Sequence, residues 1–206
     1  MITRRSTFKA VAGVAAAATL GIPHHALAAD KILKVGNDNS FTGADAQAAV
    51  RIANAVHMAF DEANADNAVP GYKWVVENFD DATATAGQYD PAQGAINARK
   101  MVSDPQMVAA TGPSMSGVGK AMSPILSQGD LPIITMASTN PDITDPKFAR
   151  QYRPKGKAIY FRTVTTDNYQ GPNMANYMAE VLKIKSIYIL DDSGAYGVGM
   201  ADTFEK

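Results

Sequence analysis

The chain has 206 residues, of which 46% are hydrophobic and none is cysteine, and its 19 Lys and Arg nearly balance its 20 Asp and Glu. The basic residues do not gather beside aromatic ones, which argues against the basic stripe of a nucleic-acid-binding protein. The length suits one domain, or one domain and part of another.

The N-terminus has the three parts of a secretory signal peptide: a basic start, an apolar middle and a small-residue cleavage site. These parts are Arg4, Arg5 and Lys9, the alanine-rich residues 10–20, and Ala26-Leu27-Ala28. The paired arginines favour the twin-arginine export route, with general secretion as the alternative. We predict that residues 1–28 form an export signal. Since no cysteine follows for lipid attachment, we expect a soluble periplasmic protein.

Beyond the signal, short apolar segments alternate with helix-like segments in the order βαβαβαβ. Strands are predicted at 32–36, 73–79, 107–111 and 132–136, and helices at 47–64, 92–103 and 117–127. The strands are apolar without alternation, which is typical of a parallel sheet buried by helices on both faces. The pattern predicts an α/β fold with a Rossmann-like parallel sheet. One face of the first helix is expected to cover this sheet, and it consists of Ile52, Val56, Ala59, Phe60 and Ala63.

A polar connection at 145–156, too rich in charge and proline to be core, separates this unit from a second one. The second unit is predicted to contain strands at 160–164 and 186–190, a helix at about 169–182, and the start of another helix from residue 197. So few elements cannot close a second doubly wound sheet. We therefore expect a first lobe at 29–157 and only the beginning of a second lobe at 158–206.

Two polar segments follow neighbouring predicted strands, at the edge where open parallel sheets bind ligands. They are Gly112-Pro113-Ser114-Met115-Ser116-Gly117 and Ala137-Ser138-Thr139-Asn140-Pro141. Backbone N–H groups at a helix start and a serine hydroxyl can bind a carboxylate. Together the segments offer donors for an anion and acceptors for an ammonium group, as a zwitterion requires. The alternative is that Ser116 and Thr139 only cap helices or form turns.

The glycine- and serine-rich segments do not match known catalytic motifs in detail. The glycine-rich segment at 112–119 lacks the Gly-Lys-Ser/Thr ending of a phosphate loop, and Ser114 lacks the glycine that a nucleophile elbow needs two residues later. His57, the only histidine after residue 28, falls within the first predicted helix and is not expected to be a base or a metal ligand. Asp80 and Asp81 end a strand, but further metal ligands are not evident. We expect no catalytic residues, no metal and no cofactor.

A series of short motifs runs through the chain in a characteristic order. The motifs are Ser40-Phe41-Thr42-Gly43, Asp80-Asp81, Asp90-Pro91-Ala92-Gln93-Gly94-Ala95, the two polar segments above, Phe161-Arg162-Thr163 with Asp167 and Gln170-Gly171, and Tyr196-Gly197. In order and spacing they resemble the periplasmic branched-chain amino acid binding proteins of ABC transporters, the leucine-binding type of the class I periplasmic binding fold. The resemblance spans essentially all of the chain after the signal.

The resemblance implies a protein that captures a branched-chain amino acid or related small polar metabolite and presents it to an inner-membrane ABC permease. It implies that Ser116, the Ala137 carbonyl and Thr139 hold the α-carboxylate and α-ammonium groups. Ser138 lines the same turn. Tyr196, expected at a strand end of the second lobe, contacts the ligand when the lobes close by hinge motion.

The sequence also departs from this family. Ala48 stands where the family often has an aromatic residue, and extra residues occur at 85–89. Family members are roughly twice this length. The alternative to transport is therefore a truncated remnant or a ligand-sensing module of the same fold. An amidase or hydrolase is a more distant alternative, because no paired nucleophile and base is evident.

Overall fold

The structure, a computed structural model, describes residues 31–206. The export signal predicted at 1–28 lies outside the described residues. Within residues 31–206, no helix combines the length and the apolar character needed to cross a membrane.

Strands and helices alternate in the predicted order. The first part contains β1 (Lys31–Asn39), α1 (Ala46–Ala65), β2 (Tyr72–Asp80), α2 (Pro91–Ser103), β3 (Met107–Thr111), α3 (Ser116–Gln128) and β4 (Ile133–Thr135). The remainder contains α4 (Ala149–Tyr152), β5 (Tyr160–Arg162), α5 (Asp167–Asn176), a π-helical turn (Tyr177–Val181) and α6 (Ala195–Phe204). Short 3₁₀ turns occur at Gly43–Asp45, Pro141–Ile143 and Pro146–Phe148.

The five strands form one sheet in the order β2-β1-β3-β4-β5, and every pair is parallel. This confirms the predicted α/β fold with a Rossmann-like parallel sheet. The direction of winding reverses between β1 and β3, and open parallel sheets bind ligands beyond the carboxyl ends of their strands near such a reversal. The loops that follow β1, β3 and β4 therefore meet at one edge of the sheet.

The main core lies between the sheet and the helices α2 and α3. Its largest fully buried side chains are Met101, Val118, Met122, Leu126, Ile133 and Ile143. Burying each such side chain contributes about 1.5–3 kcal/mol. The two helices approach closely at Gly94, where a Cβ atom would collide with the side chain of Val118. This packing fixes the N-terminus of α3 at the carboxyl edge of the sheet.

Helix α1 packs on the opposite face of the sheet, and its predicted face is confirmed in part. Its buried residues, Ala49 and Ala53, are not among the predicted ones, and Ala59 of the predicted face is exposed. Three predicted residues are only half-buried and line a groove above the sheet: Ile52, Val56 and Phe60. The reason is that α1 lies over β1 and β2. Ile134 of β4 consequently remains 49% exposed at the far wall of the groove.

The second predicted unit differs from the structure in its strands. Residues 160–162, predicted to open that unit, instead form β5 and pair with β4 in the first sheet. Residues 186–190, predicted as a strand, pair with no strand among residues 31–206, and Tyr188 and Leu190 are 89% and 86% exposed. An apolar segment becomes a strand only when a neighbouring backbone completes its hydrogen bonds.

The connection at 145–156 is more structured than its composition indicates. It contains α4, and Tyr152 at the end of that helix is buried. The backbone carbonyl of Tyr152 accepts a hydrogen bond from the hydroxyl of Ser123 in α3 at 2.8 Å. The expectation that none of this segment joins the core is therefore wrong at Tyr152.

Candidate functional site

The loop between β3 and α3 begins at a position that only glycine fits. Gly112 has a φ of +94°, and a Cβ atom there would collide with the carbonyl oxygen of Asp38 in β1. Its N–H donates to the carbonyl of Ile134 at 3.0 Å. The loop is thus held against β1 and β4 at the carboxyl edge of the sheet, which sets the direction in which α3 begins.

The N-terminus of α3 has no side-chain cap. Its N-cap residue is Met115, which has no side-chain oxygen, and the first intrahelical hydrogen bond runs from the Gly119 N–H to the Met115 carbonyl. The N–H groups of Ser116, Gly117 and Val118 have no acceptor among residues 31–206. Free N–H groups at a helix start, with the positive end of the helix dipole, suit a bound carboxylate.

Ser116 joins the start of α3 to the turn that follows β4. It is 2% exposed, and its hydroxyl oxygen accepts a hydrogen bond from the N–H of Asn140 at 3.2 Å. Asn140 is the residue that caps the next 3₁₀ turn, through its side chain and the N–H of Asp142. Neither Ser116 nor Thr139 is therefore a helix N-cap, although Ser116 does hold the turn.

The carbonyls of residues 137–140, here called the 137–140 turn, are not equally available. The carbonyls of Ser138 and Asn140 accept from the Arg162 guanidinium at 2.7 and 2.6 Å. The carbonyl of Thr139 accepts from the N–H of Asp167 at 3.2 Å. The carbonyl of Ala137 has no donor among residues 31–206. It is the free acceptor of the turn.

Two hydroxyl groups of the turn face the protein interior. Ser138 is fully buried, and its hydroxyl lies beside the phenol of Tyr160, whose pKa burial raises to about 12. The hydroxyl of Thr139 is inaccessible to solvent and lies beside the carboxylate of Asp167. Burial raises the pKa of Asp167, and this hydroxyl and Arg162 oppose the rise. The side chain of Ser138 thus points away from the site that it was predicted to line.

Tyr196 lies in α6 and not at a strand end, so that expected position is wrong. It is 43% exposed and lines an apolar cavity of about 320 Å³ together with Leu190, Met200 and other residues of the second unit. The preceding residue, Ala195, contacts the turn: its carbonyl accepts from the Asn140 side-chain amide at 2.8 Å. The start of α6 is therefore adjacent to the 137–140 turn, while contact between Tyr196 and a ligand stays a prediction.

Tyr89 is a further aromatic residue at this edge that the sequence analysis did not single out. It belongs to the extra residues before α2, and its ring lies 3.6 Å from where a Cβ of Gly117 would stand, at the start of α3. Its hydroxyl approaches Gly194, just before α6. Burial, and then the charge of Asp192, raise the pKa of Tyr89. The ring thus borders the free N–H groups of α3.

A buried polar network lies beneath the site, where β1 and β2 end. Asp38 and Asp81 are both fully buried, and each has one carboxylate oxygen without a partner among residues 31–206. The other oxygens accept from Asn97, at 2.7 Å to Asp38, and from Ser40, at 2.5 Å to Asp81. Burial raises the pKa of Asp38 well above its usual range and that of Asp81 to about 6. Both carboxyl groups are therefore protonated more readily than a free aspartate.

Asp80, the neighbour of this pair, holds the loop after β1. Its carboxylate accepts from the N–H of Phe41 at 2.9 Å and from the hydroxyl of Thr42 at 2.8 Å. Within residues 31–206, no three His, Cys, Asp or Glu side chains gather as they would around a metal ion. The side chains of Asp80 and Asp81 accept hydrogen bonds from Ser40, Phe41 and Thr42 in the loop after β1.

Comparison with known proteins gives matches over nearly all of the described chain. A family model described as periplasmic binding protein matches residues 32–206. The Leu/Ile/Val-binding protein BraC3 of Rhizobium johnstonii is 31% identical over 173 residues, 84% of this chain and 43% of that protein. The Leu/Ile/Val/Thr-binding protein of Salmonella typhimurium is 31% identical over 182 residues, 88% of this chain and 45% of that protein.

Solved structures share the fold. The branched-chain amino acid transporter substrate binding protein LivJ of Streptococcus pneumoniae, solved in complex with isoleucine, matches with a TM-score of 0.69 and 23% identity, over 85% of this chain and 46% of that one. The chain spans about half the length of the curated relatives it matches.

Proposed function

The chain belongs to the periplasmic binding protein family, and on that premise we propose that it captures a branched-chain amino acid, or a related small polar metabolite, for an ABC importer. The relatives named for binding leucine, isoleucine and valine support this ligand class. The partner is an inner-membrane permease, and the place of capture is the periplasm. The family name and the sequence pattern of residues 1–28 support that location.

One observation carries the proposal: hydrogen-bond donors for a carboxylate and an acceptor for an ammonium group follow two neighbouring strands, β3 and β4. The uncapped start of α3 offers free N–H groups to a carboxylate, and Ser116 retains its own hydroxyl proton as a further donor. The free carbonyl of Ala137 offers an acceptor to an ammonium group. Because the Asn140 N–H and the Ser116 hydroxyl tie these two parts together, one α-amino acid can contact both. Thr139 belongs to the proposed set by the family resemblance; its hydroxyl faces Asp167 and would have to turn outward to reach a ligand.

In this proposal, the chain forms the first lobe of a two-lobed ligand-binding protein and the beginning of its second lobe. The proposed lobes are 29–157 and 158–206, and the pairing of β5 with β4 favours counting Tyr160–Arg162 with the first lobe. Tyr196 is the proposed contact from the second lobe. Closure of the lobes around a ligand by hinge motion would signal occupancy to the permease.

A thermal-shift measurement of the purified chain with L-leucine, L-isoleucine and L-valine tests the proposal. Ligand that binds only the folded state stabilises it by RT ln(1 + [L]/Kd), or about 2.7 kcal/mol at a ligand concentration of one hundred times Kd. We expect at least one of the three to raise the melting temperature in a concentration-dependent way. A melt that none of them moves would contradict the proposed ligand class for this chain.

The double variant Ser116→Ala with Thr139→Ala tests the site itself. Losing charge-assisted hydrogen bonds to the ligand costs a few kcal/mol, about 1.5–3 for each bond, so binding should be abolished. Ser103→Ala is the control, because its exposed hydroxyl only contacts the Lys100 carbonyl at the end of α2. Unchanged affinity in the double variant would leave these hydroxyl groups with a structural role alone.

A further inference from the structure

Arg162 is the last residue of β5 and lies beside the 137–140 turn. In the register of the sheet it pairs with Thr135, the last residue of β4. The turn begins two residues after Thr135, so Arg162 lies next to it in the sheet and its side chain can contact it. The sequence analysis noted Phe161-Arg162-Thr163 as a motif without giving Arg162 a role.

The Arg162 guanidinium makes three hydrogen bonds in three directions. Its Nε donates to the carbonyl of Ser138 at 2.7 Å, its Nη2 to the carbonyl of Asn140 at 2.6 Å, and its Nη1 to the hydroxyl of Thr144 at 2.7 Å. A rigid, planar fork of donors is what distinguishes arginine from lysine. These contacts fix two alternate carbonyls of the turn on the side that faces β5.

With these two carbonyls occupied, only the carbonyls of Ala137 and Thr139 remain to be considered. The Thr139 carbonyl is occupied by the N–H of Asp167 at the start of α5. Of the four carbonyls in the 137–140 turn, only that of Ala137 lacks a donor among residues 31–206. Arg162 therefore removes two competing acceptors from the site and leaves one.

Two acidic groups lie near the Arg162 guanidinium. Burial lowers the pKa of Arg162, and the nearby acidic side chains of Tyr160 and Asp167 oppose that effect. The carboxylate of Asp167 is fully buried, with neither oxygen hydrogen-bonded within residues 31–206. The ring of Tyr160 lies 5.3 Å from the guanidinium carbon. The three hydrogen bonds in three directions, together with the ring contact, match a planar guanidinium better than a single ammonium group.

We propose that Arg162 is a positioning residue for amino-acid binding, which holds the Ser138 and Asn140 carbonyls so that the Ala137 carbonyl alone faces the ligand's ammonium group. This inference rests on the proposed function for its ligand. It concerns the backbone of the turn and gives Arg162 no contact with the ligand.

Arg162→Lys tests the inference, with Thr144→Val as the matched control. A single ammonium group keeps the positive charge but cannot hold both carbonyls, so we expect leucine affinity to fall about tenfold or more by titration calorimetry. Thr144→Val removes one of the three hydrogen bonds and leaves both carbonyl contacts, so its leucine affinity should change less than about twofold. A general loss of stability would instead weaken both variants alike, and equal affinities in wild type and Arg162→Lys would overturn the proposal.

Amide hydrogen exchange gives a readout that needs no ligand. In Arg162→Lys the N–H groups of Asn140 and Asp167 should exchange at least about tenfold faster, while that of Ile133 in β4 should not change. In the wild type the Nε–H of Arg162 should itself be protected from exchange. This measurement tests the proposal even if the Arg162→Lys variant does not fold. Rapid exchange of this Nε–H would overturn the proposal. Failure of leucine, isoleucine and valine to bind the wild type would refute the proposed function, and exchange would still decide whether Arg162 sets the turn.

Discussion

The carboxyl pair of Asp38 and Asp81 makes the stability of the fold depend on pH, and Asp81→Asn tests this. The pKa of Asp81 is raised from 3.8 to about 6, chiefly by burial. The folded state therefore keeps a proton that the unfolded chain has released, and this contribution to stability is complete below pH 3.8 and is lost as the pH rises through 6. At 1.36 kcal/mol per unit, a rise of about two units corresponds to about 3 kcal/mol.

An amide at position 81 keeps the hydrogen bonds and removes the titration. Its oxygen can accept from Ser40, and its NH₂ group can donate to the free oxygen of Asp38. We expect the variant to match the wild type in unfolding free energy near pH 4 and to exceed it by about 3 kcal/mol near pH 8. Asp38 adds to this difference, because losing a negative neighbour lowers its own raised pKa.

Urea unfolding of both proteins across this pH range measures the difference, and other titrating groups cancel from it. Asp104→Asn is the control with the opposite sign. The hydrogen bond from Lys34 lowers the pKa of Asp104, so its contribution is present above the unfolded pKa and is lost as the pH falls. A difference between Asp81→Asn and wild type that stays constant from about pH 4 to about pH 8 would refute the raised pKa of Asp81.

Two further substitutions test the edge of the sheet. Gly112→Ala should lower the unfolding free energy by more than about 2 kcal/mol in thermal or urea denaturation, because the Cβ atom would strike the Asp38 carbonyl. Gly156→Ala has a positive φ of 77° but open space around it, and should cost only about 1 kcal/mol; equal losses would argue against the collision. Tyr89→Ala should weaken leucine binding in calorimetry while Tyr72→Ala, at an exposed edge-strand tyrosine, should not, and the reverse result would remove Tyr89 from the site.

The first sheet was predictable because its elements have strong local patterns. Apolar strands alternating with amphipathic helices specify a parallel sheet, and the polar segments after β3 and β4 lie at its carboxyl edge because every strand points the same way. The assignment of β5 was wrong because a short apolar segment such as Tyr160–Arg162 does not reveal which sheet it joins. Residues 186–190 are predicted as a strand from their apolar pattern. They form none in the described chain, because a strand also requires a neighbouring segment with which to pair.

The candidate site was predictable in outline and not in its supporting contacts. Ser116 and the 137–140 turn were located by their place after strands. The roles of Arg162 and Tyr89 depend on side chains that meet across long stretches of sequence, for which one sequence offers no periodic signal. A signal did exist for the polar network. The run Asn37-Asp38-Asn39-Ser40 continues an apolar strand, and its position indicates amides and acids buried in the sheet.

The amide side chains of β1 also have a consequence for how its strands align. Asn37 of β1 faces Asn78 of β2 in register, and their side chains form a hydrogen bond of 2.8 Å. Sliding one strand by a single residue would bring polar groups opposite apolar ones, and each buried amide left unpaired would cost about 1–3 kcal/mol. Hydrophobic strands tolerate such slippage more readily. The polar end of β1 thus specifies a single register between β1 and β2, and burying these polar groups there contributes less stability than burying apolar ones would.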